Sequence, residues 1–176
     1  TNAVVDRPPR HAEDLRGEEG ASSADAVAAA KRAIAAYQRL LKDYPEYPST
    51  DAVLYQLARA CETAGDSAQA VTTLDELVTR YPKTSHYDEA QFRRGETYFS
   101  LQRYADAERA YAAVLALESK SEFDEQALYK RGWAQFKLGD NAAGSLDFLA
   151  LLDTVLVHGG ELRDASQLTR PQQELS

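Results

Sequence analysis

The chain has no methionine, one cysteine and one tryptophan, and nowhere an apolar run that could cross a bilayer. Each shortage excludes something. A membrane-spanning helix needs about 20 consecutive apolar residues, so the sequence holds no such segment. Cys61 has no second thiol in the chain, which rules out an internal disulfide and leaves the redox compartment unmarked. With no Met at position 1 and no charged-then-apolar leader, the sequence reads as a piece of a longer protein. The polar ending RPQQELS carries no capping pattern, so further chain is expected beyond it.

Positive charge is also scarce. Twenty Lys and Arg against 28 Asp and Glu leave a formal net charge of −8, the wrong sign for a surface that neutralises phosphates and releases counterions. No nucleic-acid partner is expected. There is no nucleophile motif, phosphate-binding glycine loop or paired-cysteine zinc pattern. His86 stands three residues before Glu89, but two ligands fall short of the three or four a metal needs, and His11 and His158 lie far away in sequence. The sequence therefore predicts no catalytic residue, no metal and no cofactor, and a protein that is not an enzyme.

What the chain has is a period of thirty-seven. Ala33, Ala70, Ala107 and Gly144 share one column; Tyr37, Leu74, Tyr111 and Phe148 share the next. Leu40, Leu77, Val114 and Leu151 follow, then Leu41, Val78, Leu115 and Leu152. Offsets of four, three and one trace one helix face, repeated four times. A register of this kind predicts stacked helical hairpins, each too small to bury its apolar face alone.

Residues 1–22 contain Pro8, Pro9, Gly17, Gly20 and mixed charge, and are expected to be an irregular lead-in. Ser23 is expected to cap a long helix from Ala24 to about Asp43, stopped by Pro45. Then come helix pairs: DAVLYQLARACETAG with SAQAVTTLDELVTRYP, DEAQFRRGETYFSLQ with YADAERAYAAVLAL, and EQALYKRGWAQFKLG with NAAGSLDFLALLDTVLV. Ser85 and Ser121 stand three residues before Asp88 and Asp124, the spacing of a reciprocal cap. The repeat region is thus read as residues 23–158. Residues 159–176 form a tail, opened by Gly159 and Gly160, with a short helix from Glu161 to Leu168 before Pro171.

The unit DEAQFRRGETYFSLQRYADAERAYAAVLALES resembles the tetratricopeptide repeat. Gly95 takes that repeat's small residue in the first helix, Tyr98 its aromatic, Ala107 the small residue of the second helix and Tyr111 the next aromatic. Pro45 and Pro82 keep the closing proline, and Ser119 replaces it. Ala58 and Gly132 stand where Gly95 does. The resemblance covers about residues 24–157 and implies a right-handed, superhelical all-α solenoid of about three and a half hairpins. The joints YPEYPSTD and YPKTSHYD, which lengthen the usual period of 34, are similar to those of bacterial envelope proteins, the barrel-assembly lipoprotein of the outer membrane and the Tol-Pal-associated periplasmic protein; the third joint, ESKSEFD, lacks the tyrosine-proline pair. This implies a periplasmic or outer-membrane-associated scaffold, the alternative location being cytoplasmic.

In that family the first helix of each hairpin lines a concave groove. Carried over, the groove residues are Tyr55, Gln56, Arg59 and Glu62, then Phe92, Arg93, Glu96 and Phe99, then Tyr129, Lys130, Trp133, Phe136 and Lys137. Tyr55, Phe92 and Tyr129 would form an aromatic ladder, although the same residues could instead pack neighbouring hairpins, the reading favoured for Phe99 and Phe136. Trp133 departs from its column, where Arg59 and Glu96 stand, so it is the residue expected to be exposed. The partner implied is a protein or peptide segment. Two other readings compete: self-association through the open solenoid ends, and a cell-wall carbohydrate-binding module. Cys61 is expected to be a small core residue.

Overall fold

The alanine- and leucine-rich segments fold as helices in a computed structural model, which describes the backbone of residues 11–158 and the side chains of residues 23–154 and Leu156. Among the described residues there are seven helices and no strand: α1 His11–Asp43, α2 Thr50–Thr63, α3 Ser67–Arg80, α4 Tyr87–Ser100, α5 Tyr104–Leu115, α6 Asp124–Lys137 and α7 Asn141–His158. The fold is an all-α repeat solenoid. It divides into two compact units, one ending at Tyr87 and the other beginning at Asp88.

Three hairpin turns share one backbone conformation. Gly65, Gln102 and Gly139, thirty-seven residues apart, all have positive φ, at 78°, 58° and 87°. After each, the next amide reaches back five residues, from Asp66 to Cys61, Arg103 to Tyr98 and Asp140 to Gln135, all at 2.9 Å. The bond occupies a carbonyl that the helix end would otherwise leave open. Asp66 and Asp140 then cap the following helix, accepting from the amides of Gln69 and Ala143 at 2.9 and 3.0 Å. The middle turn has neither advantage: Gln102 carries a Cβ in the left-handed region and Arg103 makes no side-chain cap.

In the first unit, α2 packs against both α1 and α3. Leu57, Cys61 and Ala70 form a buried cluster, against which Ile34, Tyr37 and Leu41 of α1 pack. Leu54, Leu74 and Leu77 are fully buried beside it; each such leucine contributes about 1.5–3 kcal/mol. Cys61 is a core residue, as expected, and burial, with Asp66 and Glu62, pushes its thiol up to about 11.

In the second unit the small-residue columns set how closely the helices approach. A Cβ on Gly95 would lie 2.6 Å from Cδ1 of Tyr111, and one on Gly132 would lie 2.8 Å from Cε1 of Phe148. Gly144 faces the Gly132 carbonyl oxygen, where a Cβ would come within 2.8 Å. Aromatic faces thus rest on bare backbone. Arg131 of α6 makes two 2.7 Å bonds to the buried carboxylate of Asp147 on α7. That bond, with the nearby negative charge, holds the guanidinium pKa above its ordinary value.

Two expectations about helix starts are corrected. Helix α1 begins at His11, so residues 11–22, expected to be irregular, are helical, and Ser23 lies inside the helix instead of capping it. Gly17 and Gly20 each weaken a helix by about 1 kcal/mol, which the surrounding Ala, Glu, Leu and Arg offset. The reciprocal serine caps are also not formed as expected. Ser121 keeps half of one, its amide donating to Asp124 at 3.2 Å, but its hydroxyl proton goes to Asp88 at 2.8 Å and the oxygen accepts from Phe123 N–H at 3.2 Å. At the preceding joint Thr84, not Ser85, has this role, donating to Asp51 at 2.7 Å and accepting from His86 N–H at 3.4 Å. A hydroxyl has one proton, and a charged carboxylate is its strongest acceptor. The expected Glu161–Leu168 helix lies outside the described residues.

Candidate functional site

The first helices place the residues expected to line a groove, and each unit uses them differently. On α2, Tyr55 is 4% exposed because the His86 ring lies over it, centroids 4.2 Å apart and planes 2° from parallel. Tyr55 is thus withdrawn from the surface, contrary to its assignment as a contact residue. Arg59 stays exposed, its guanidinium 5.8 Å from the Tyr55 ring centroid, and Gln56 is exposed beside it.

The second unit repeats the covering stack one period later. Phe92 on α4 stacks on Phe123 at 5.2 Å and tilts against Tyr111 at 5.9 Å. Arg93 is joined to Glu89 one turn earlier, at 2.8 Å. Glu96 accepts the Tyr111 hydroxyl at 2.5 Å and pairs with Lys130 at 3.1 Å. Burial, reinforced by the Glu96 carboxylate, keeps that phenol protonated far above the usual tyrosine range. Phe99 is half-buried, edge-on to Tyr104, with the Lys130 ammonium 5.9 Å from its ring centroid.

Helix α6 carries the densest cluster. Trp133 meets Tyr129, Phe136 and Phe148 edge-on at centroid distances of 6.3, 5.8 and 5.7 Å. It is half-buried, so packing engages it more than its column suggested, and Phe136 is the ring that turns out, 50% exposed. Lys137 is exposed next to it, and Lys130 remains a third exposed. The aromatic ladder is therefore mostly packing, while the last two turns of α6 combine an open phenylalanine, a partly open tryptophan and two lysines, Lys130 and Lys137. Such a patch can take an apolar anchor and pair with carboxylates. Among the described residues no group of three or more His, Cys, Asp or Glu could hold a metal, and no helix is long and apolar enough to cross a membrane.

Two family models match, one over residues 27–91 and the other over residues 87–153, and both are described as tetratricopeptide repeat. These are tetratricopeptide repeats. Solved structures agree on the fold. The chain is similar to the MamA RS-1 ArsTM double mutant, at 23% identity over 70% of this chain and 74% of that one, with a TM-score of 0.54. It is also similar to the kinesin-light-chain-type, nearly identical TPR-like repeats from Podosopora anserina, at 20% identity over 88% and 75%, with a TM-score of 0.61. No curated protein sequence matches the chain. Tetratricopeptide repeats present extended surfaces to protein partners, and the candidate site here is a surface of that kind. Phe136, expected to pack, is the exposed ring, and the hydroxyls of Thr84 and Ser121 bond to carboxylates of the preceding hairpin instead of capping helices; the hydroxyls repeat at the period of thirty-seven, as do their carboxylate partners.

Proposed function

We propose that this chain is an interaction scaffold, and that the last two turns of α6 are where it grips an extended or helical segment of another protein. The observation that carries this reading is the exposure of Phe136 and Lys137 beside Trp133 and Lys130, while Phe99, the aromatic equivalent to Phe136, is half-buried against Tyr104. The segment it suits has an aromatic or aliphatic anchor followed by carboxylates. The joints YPEYPSTD and YPKTSHYD support a role in bacterial envelope assembly, periplasmic or at the outer membrane.

The test selects peptides from a displayed random library on the folded chain and titrates them against Trp133 fluorescence. Peptides with an apolar anchor and acidic residues should emerge, and Phe136→Ala should weaken them roughly tenfold or more while helicity is kept. Selected peptides that bind Phe136→Ala and Lys137→Ala as tightly as the parent chain would show that another face is used. Fractionation of cells expressing the full-length protein checks the compartment separately.

A further inference from the structure

Helix α7 departs from the repeat columns on its outer side. Leu146 stands where the earlier helices have Ala35, Thr72 and Arg109, and Leu149 where they have Gln38, Asp75 and Ala112. With Leu152 and Leu156 they form a row of leucines 55–73% exposed. The helix also continues to His158, past the places where α3 and α5 stop at Arg80 and Leu115, and the added turn brings Leu156. A solvent-facing helix keeps one apolar stripe; a helix apolar on both sides is built to be covered.

Helix α1, in the first unit, has a matching opening. Thr73, Ala110 and Asp147 share one column and are buried, Asp147 by its bonds to Arg131 on the first helix of its own hairpin. Ala36, the α1 residue of that column, is exposed, with exposed Arg32 one turn before it and half-buried Leu40 one turn after. Helix α1 therefore presents, uncovered, the face that a first helix covers in the later hairpins. Charge also matches. Residues 31–42 carry Lys31, Arg32, Arg39 and Lys42 and no acid, whereas residues 141–158 carry Asp147 and Asp153 and no Lys or Arg. Asp147 is engaged with Arg131; Asp153 is exposed.

We propose that α7 of one copy docks on the uncovered face of α1 of a second copy, head to tail. The leucine row covers Ala36 and Leu40, and Asp153 lies toward the basic stretch of α1. Because the two surfaces differ, the contact is heterologous, the type that builds rings or open filaments. The alternative, α7 against α7, would bring two unpaired Asp153 carboxylates to one interface and leave the α1 face uncovered. One helix on one helix buries less than the roughly 1,200 Å² of a standard interface, which places the contact in the weak class, and salt should weaken it further.

Sedimentation velocity on the 176-residue chain, from about 10 µM to about 1 mM, tests this. The average mass should rise past the dimer with concentration and fall on adding salt. Leu152→Lys and Ala36→Arg both alter exposed positions; each alone should be monomeric with unchanged circular dichroism, and an equimolar mixture should form a dimer and stop there. A monomer at every concentration overturns the proposal. So does self-dimerisation of Ala36→Arg alone, which would mean that α7 pairs with α7.

Discussion

Thr84 donates a 2.7 Å hydrogen bond to Asp51, and thirty-seven residues further on Ser121 donates one of 2.8 Å to Asp88. Each bond ties a joint to the first turn of the hairpin before it, within one unit. The Thr84 hydroxyl, ahead of the opposing effect of burial, holds the Asp51 carboxyl below its ordinary value of 3.8. A carboxyl with a lowered folded pKa stabilises the fold above its unfolded pKa and loses that contribution as pH falls through the folded value. Thr84→Val should therefore lower stability at pH 7 by about 0.5–1.5 kcal/mol. The difference from the parent should shrink below about pH 4, as urea titrations across pH 2–7 would show.

Gln102 is the residue most open to improvement. It takes the left-handed position that Gly65 and Gly139 take in the other turns. Gln102→Gly should raise stability by about 1 kcal/mol, the strain of a side chain in that region. Thermal unfolding measures this, and a fall in Tm would mean that the Gln102 side chain compensates for its backbone.

Gly95 tests the packing of the second unit. Gly95→Ala gains helix propensity of about 1 kcal/mol but places a methyl group against the buried Tyr111 ring. The clash should win, with a net loss of about 1–3 kcal/mol. Adding Tyr111→Leu should recover part of the loss. Additive effects in that double variant would place the clash elsewhere.

Arg131→Ala strands the buried Asp147 carboxylate and should destabilise by about 3–5 kcal/mol. The double variant Arg131→Ala/Asp147→Ala should be more stable than Arg131→Ala alone, because no uncompensated charge is then buried. Chemical denaturation of the parent and the two variants checks both statements.

The hairpins were legible because their contacts recur locally. Gly95 and Tyr111, or Gly132 and Phe148, lie sixteen residues apart at one fixed offset, and the period repeats the pair. The joints were less legible. Choosing Thr84 over Ser85 as the bonding hydroxyl requires the backbone path between them, and the cover over Tyr55 comes from His86, thirty-one residues away. Trp133 stood out from its column, but Phe136 is the ring that opens to solvent. The two positions differ by only about 60° around a helix of 3.6 residues per turn, too little for a pattern to decide. Gly17 and Gly20 suggested a break in α1 because local preference was weighed without the strong helix formers around them.

The lone thiol and the lone indole lie in different units, Cys61 in the first and Trp133 in the second. The thiol is fully enclosed and its pKa is raised to about 11, so a thiol reagent should reach it only when α1, α2 and α3 part. The unaltered chain thus carries a chemical clock for the opening of one unit and an optical gauge for the other. Labelling rate and fluorescence followed together along one denaturation series would show whether neighbouring repeats open as a single cooperative block or in succession.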